Sequence, residues 1–187
     1  MPPKIKITKE KIIDVAIDMV RREGLSALNA RDIARELHCS TQPIFSNFAS
    51  MEELKYAVIE KAETIYLAFS NAVIQSTDYP PYKASGMAYI RFAKEERELF
   101  RLLYMRDRSK EQIPPTTTLG EQVSEMVESN TGLTGQAAQL FHLEVWAFVH
   151  GIATMITTEY CDLDEALISQ MLTHAYQGLR KSHGVDV

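Results

Sequence analysis

Residues 40–48 read Ser-Thr-Gln-Pro-Ile-Phe-Ser-Asn-Phe, a stretch whose polar side chains can hydrogen-bond to base edges. If it forms a short helix, Ile44, Phe45 and Phe48 supply the apolar side and must face inward. Thr41, Gln42, Ser46 and Asn47 then point out. Gln pairs bidentately with adenine N6 and N7, while Thr and Ser serve either base or phosphate. Pro43 falls in the first helical turn, where its missing N–H costs little. Exposed small polar residues are also ordinary solvated surface, so the helix alone leaves both readings open.

Bond-making chemistry finds no comparable set. There is no nucleophile motif, Gly-rich phosphate loop or paired catalytic carboxylate, and Glu144 and Glu159 stand isolated. His142 and His150 lie eight apart, with His174 on the next segment and no H-x-x-x-H pair. Cys39 and Cys161 form no C-x-x-C. Neither a metal nor a cofactor is expected, and an enzyme would lack any nameable residue set.

The elements that must position Thr41–Asn47 follow from apolar spacing. Ile12, Val15, Ala16, Met19 and Val20 recur at helical intervals between a Thr8 cap and a Gly24 stop. Asn29 caps a second short helix, with Asp32 at the box position and Ile33, Ala34 and Leu37 as its stripe. Ser40 is the expected cap of the third helix and Ser50, with Glu53, of the fourth. The fourth runs to about Ser76. Two short helices joined by His38-Cys39-Ser40 have the layout of a helix-turn-helix.

Asp78-Tyr79-Pro80-Pro81 interrupts the pattern. Helix resumes from Tyr82 to about Arg108, with a bend or exposed turn in the charged run Lys94–Glu98. A loop holding Pro114-Pro115-Thr116-Thr117-Thr118 precedes a helix from about Leu119 to Ser129. The segment Thr134–Thr158 is apolar on nearly all faces, so it must be buried all round. With the final helix, about Leu163 to Lys181, it suggests that one side meets a second subunit. Phe148, Ile152, Met155, Leu167, Met171, Leu172, Ala175 and Leu179 are the expected dimer contacts. Gly151 inside this helix points to a close neighbouring helix or to room for a ligand. No apolar run approaches the roughly 20 residues of a membrane span. No export signal is visible, so a cytoplasmic location is expected.

Net charge is −5, but it is unevenly placed. Residues 1–50 carry eight Lys/Arg against six Asp/Glu, and residues 51–187 twelve against nineteen. A basic head on an acidic body suits a protein that approaches phosphates with one end. Lys4, Lys6 and Arg31 are the candidate phosphate contacts, with Ser40 beside the four polar positions above.

The stretch Lys11–Leu54 resembles the N-terminal signature of the TetR family. The resemblance is carried by Ile12, Ala16, Gly24, Arg31-Asp32-Ile33-Ala34, Leu37, Ser40, Ile44-Phe45, Phe48 and Ser50-Met51-Glu52-Glu53-Leu54. Trp146-Ala147-Phe148-Val149-His150-Gly151 is similar to the W-x-x-x-H-G motif of one TetR C-terminal subgroup. The chain departs from the family where Phe45 replaces Tyr, Asn47 His or Tyr, Met51 Lys, and His38 the frequent turn Gly. Phe45 and Met51 cannot make the phosphate contacts of the Tyr hydroxyl and Lys ammonium. The tail lysines, Arg31 and the start of the fourth helix compensate in this reading.

The resemblance implies an all-α homodimer. A three-helix DNA-binding domain over residues 1–50 is linked by a long helix to a ligand-binding and dimerisation domain over 51–187. It implies a repressor of a near-palindromic operator, released by a small-molecule effector that shifts the spacing of the two heads. Met87, Phe92, Phe100, Tyr104, Trp146 and His150 would line a largely apolar pocket, although such residues also serve as core filling. A second reading stays open: a helical ligand-binding or protein-interaction module whose DNA-reading head has degenerated.

Overall fold

A computed structural model describes residues 7–109 and 121–185, and every regular element among them is helical. The first helix, α1 (Lys9–Glu23), begins where the Thr8 hydroxyl accepts from the Lys11 N–H at 3.2 Å. It ends at Gly24, whose φ of 79° is the left-handed region. The backbone there favours glycine, and a Cβ would also stand 2.8 Å from Glu98 Oε2, so the Glu98 carboxylate would have to shift.

A 3-10 turn (Leu25–Ala27) leads to α2 (Ala30–Glu36). The Asn29 side chain caps α2 by accepting from the Asp32 N–H at 3.0 Å and donating to the Asp32 carboxylate at 2.6 Å. Then come α3 (Gln42–Asn47) and α4 (Met51–Gln75). The start of α4 is a variant of the capping box: Ser50 Oγ accepts from the Glu53 N–H, and Glu53 Oε2 reaches back past the cap to accept from the Ala49 N–H at 2.7 Å.

The interval expected as one bent helix is two, α5 (Pro81–Glu95) and α6 (Arg97–Tyr104). The break falls at Glu96, inside the charged run. Its carboxylate is gripped by Arg21 through two bonds of 3.0 Å, a fork-to-fork pair that fixes the end of α6 against α1. Three helices complete the described chain: α7 (Glu121–Thr131), α8 (Gly135–Thr157) and α9 (Glu165–Ser182). The expected Pro114–Thr118 loop lies outside the described residues.

The chain divides into two compact units, residues 1–68 with 96–106, and residues 69–95 with 107–187. In the first, α1 packs on α2, α3 and α6. Ile12, Ala16, Val20, Ile33, Ile44, Phe48, Leu99 and Phe100 are among its fully buried side chains. In the second, α5 packs on α7, α8 and α9. Ala84, Ala88, Ala93 and Ala153 keep these helix faces thin enough for close approach. Tyr82, Val127, Ala138 and Phe141 form a core where α5, α7 and α8 converge.

Contrary to the sequence expectation, α8 is long and apolar enough to cross a membrane by length and composition alone. It is not buried all round either. Only about a third of its most apolar stretch is covered by the rest of the chain.

Candidate nucleic-acid interface

The turn between α2 and α3 is a Schellman motif. The Cys39 N–H donates to the Ala34 carbonyl at 2.9 Å and the His38 N–H to the Arg35 carbonyl at 3.1 Å. This geometry needs a left-handed residue, and His38 supplies it with φ 50°. The glycine missing from the family pattern is therefore a backbone matter, met here with strain. The expected Ser40 cap shifts by one residue. Thr41 occupies the N-cap of α3 in helical conformation, and its side chain makes no cap bond.

On α3 the sequence reading is half corrected. Ile44 and Phe48 are 0% and 1% exposed, as four-residue spacing on one helix line requires. Phe45 is not inward; it is 51% exposed. One step along a helix turns a side chain about 100°, so Phe45 falls beside Gln42 and Ser46 instead of Ile44. Asn47 moves the other way. Its amide donates to the Pro43 carbonyl at 2.7 Å and to the Ile7 carbonyl at 3.4 Å, half-buried as a tie to the segment before α1. The outward face of α3 is thus Gln42, Phe45 and Ser46. Ser46 Oγ bonds back to the Gln42 carbonyl at 2.9 Å, and Ser40 is exposed just before the helix.

Asn29, Ala30, Arg31, Thr41 and Phe45 line an open concavity at the starts of α2 and α3. Arg31 is exposed, with no ion pair among the described residues. Other cations of this unit are engaged: Arg22 with Glu36, Arg35 with Asp32, Lys61 with Asp14. Lys9 pairs with Glu53 at 3.1 Å and lies over the Phe48 ring. That pair and the Ala49 N–H hold the Glu53 carboxyl below the usual carboxylate range, the backbone bond being the larger cause. Lys4 and Lys6 lie outside the described residues.

The second unit carries a repeated polar rung. Tyr82 Oη is 3.1 Å from His142 Nδ1, and Tyr89 Oη is 2.9 Å from His150 Nδ1. The two rungs advance together along α5 and α8, so these helices run parallel. Burial pushes both imidazoles below their ordinary range and the Tyr82 phenol above its own. The sequence reading missed the tyrosines, whose seven-residue spacing beside the eight-residue histidine spacing was the available signal. Trp146 stacks on His150 with ring centroids 4.9 Å apart and is partly exposed. One turn on, Thr154 Oγ1 is buried with no hydrogen-bond partner among the described residues.

Met87 and Phe92 are buried in the same unit, Phe92 edge-on to Phe69. Phe100 and Tyr104 belong to the first unit, where Phe100 is fully buried and Tyr104 meets Tyr66 edge-on at 5.8 Å. The six expected pocket residues are divided between the units.

Residues 82–176 match the family model described as tetracyclin repressor-like, C-terminal domain. The chain belongs to the TetR family. TetR proteins are transcriptional regulators, not enzymes, and this one is a DNA-binding regulator whose α2 and α3 form the helix-turn-helix. Three solved structures share the TetR fold. A TetR family member from Streptomyces coelicolor A3 is 18% identical, with TM-score 0.62 over 89% of this chain and 96% of that one. A TetR-like transcriptional regulator from Rhodococcus sp. RHA1 is 14% identical, with TM-score 0.66 over 96% and 98%. The multidrug binding protein EbrR, complexed with imidazole, is 18% identical, with TM-score 0.61 over 89% and 93%. No curated protein matches the chain.

TetR regulators bind operators and effectors and are typically dimers. On α8, Leu140 and Phe148 are exposed, on a face continued by Gly151 and Met155. On α9 the corresponding face holds Leu167, Met171, Ala175 and Gly178, with Leu179 half-buried at its side. Among the described residues, no side chain lies within 4 Å of where a Cβ on Gly151 or Gly178 would stand. Gly151 is therefore not explained by close packing within the subunit. Ile152 and Leu172, expected at the dimer contact, are buried in their own unit and face the other way.

Proposed function

We propose that this TetR protein is a homodimeric, cytoplasmic, sequence-specific repressor that a largely apolar small molecule releases from a near-palindromic operator. The observation that carries the reading is the outward face of α3, where Gln42 and Ser46 are exposed beside exposed Arg31. Gln42 suits adenine, Ser46, Ser40 and Thr41 suit base or phosphate, and Arg31 suits phosphate. Two heads are set apart by pairing the exposed α8–α9 faces of two subunits, through Phe148, Met155, Leu167, Met171 and Ala175, with Leu179 at the edge. The two glycines allow those helices to approach closely.

Effector binding is supported by Trp146, His150 and the unpartnered Thr154 hydroxyl, an aromatic wall with polar handles. EbrR, of the same fold, is a multidrug binding protein.

The test is a titration of fragments of the chain's own promoter at about 50 and about 200 mM salt. It is repeated with the compound that denatured protein releases, identified by mass spectrometry. One fragment should bind far more tightly than the rest, with affinity falling by orders of magnitude between the two salts, and the compound should weaken it. Equal, weak binding to every fragment would favour the alternative, a ligand-binding module with a degenerate head. That alternative rests on Phe45 and Met51 lacking a group that donates a hydrogen bond to phosphate.

A further inference from the structure

We propose that Phe45 is a specificity residue that reads the C5-methyl group of a thymine in the operator's major groove. The inference rests on the regulator reading above and assigns a role to the one large apolar side chain on the outward face of α3.

Three observations lead there. The core does not use Phe45: Ile44 and Phe48 already fill the inward side, and half of the Phe45 surface stays in solvent. A half-exposed ring on a six-residue helix contributes less to the fold than a buried one would. Its neighbours are all groups that suit DNA: Gln42 and Ser46 on the same face, Thr41 one turn back, and Arg31 across the concavity that Phe45 lines. The helix itself, Gln42–Asn47, carries no acidic residue that would repel phosphate.

The ring has no hydroxyl, so it cannot donate to a phosphate as a tyrosine would. Among the groups that base pairs show in the major groove, the thymine methyl is the apolar one. Phe45 and that methyl are matched by chemistry, and Gln42 on the same face supplies the hydrogen bonds that fix register.

The experiment uses the full chain to select binding duplexes from a random pool. Each thymine of the selected half-site is then replaced by deoxyuridine, which removes only the methyl. One position per half-site should weaken the wild-type protein about fourfold, the worth of one methyl taken from water. Phe45→Ala should lose that thymine-over-uracil preference while keeping its salt-dependent binding, and Phe45→Leu should keep part of it. Thermal unfolding of both variants confirms that they are folded. The inference is overturned if no uracil replacement matters, or if the preference persists in Phe45→Ala. A selection that enriches no duplex overturns the regulator reading with it, and is distinguished by failing before any uracil is introduced.

Discussion

Ile44 and Phe45 are chain neighbours on one helix, yet Ile44 is fully buried and Phe45 stands half in solvent. The difference sorts α3 into a side that folds and a side that binds. Ile44→Ala should destabilise the protein by about 2–4 kcal/mol, as truncation in a packed core does. Phe45→Ala should cost less than about 1 kcal/mol, because a half-exposed ring leaves no cavity. Urea unfolding of the two variants checks the contrast.

His38 holds a left-handed backbone at the helix-turn-helix corner. A side chain there carries about 1–2 kcal/mol of strain, partly offset in glycine by the greater freedom of its unfolded chain. His38→Gly should therefore stabilise the first unit by about 0.5–1 kcal/mol with no loss of DNA binding. An unchanged or lowered unfolding midpoint would show that the His38 ring contributes more than its backbone costs.

The two tyrosine–histidine rungs predict a pH dependence. Burial lowers the His142 and His150 pKa values below the ordinary 6.5, so near neutrality the unfolded chain binds protons that the folded chain refuses. The stability they contribute is complete above about pH 6.5 and is lost as pH falls through the folded values. Melting temperature should drop between about pH 7.5 and pH 5.5, and His142→Gln should flatten that slope. Glu10 and Glu53, whose pKa values are lowered below 4.5, act in a separate and more acidic window.

The apolar faces of α8 and α9 predict the assembly. Leu167 and Phe148 are 43% and 38% exposed in the single chain. A carboxylate at either place would have to be desolvated in a paired face. Leu167→Glu should convert a dimer to folded monomers, read as a halving of mass by light scattering with helical content unchanged. DNA affinity should fall with it, because half-sites are held by the pair. A Leu167→Glu protein that keeps the mass of two chains would place the interface elsewhere.

The helices were legible in the sequence because their caps are. Thr8, Asn29, Ser50 and Gly24 each close or open an element where their chemistry requires, and α5 begins at Pro81 after the proline break. What the pattern could not resolve was rotation on a six-residue helix. Phe45 and Asn47 were assigned by polarity, but the buried line was already set by Ile44 and Phe48, and the Asn47 amide had a carbonyl to satisfy at Ile7. The same limit applies to α8. Its apolar residues are read from sequence as burial, although Ile152 faces the subunit core and Phe148 faces away from it. The tyrosine partners of His142 and His150 depend on how α5 lies along α8; the matching seven- and eight-residue spacings are compatible with that pairing but do not by themselves select it.

The claim on which the regulator account turns is that α3 reads sequence, and Gln42→Ala tests it most directly. Kd is measured for the selected duplex and for the same duplex with its Gln42-facing base pair changed, at one salt concentration. The wild-type protein should discriminate by about 1–3 kcal/mol per half-site, and Gln42→Ala should erase that preference while remaining dimeric. Equal discrimination by the two proteins, or none by either, would contradict the account.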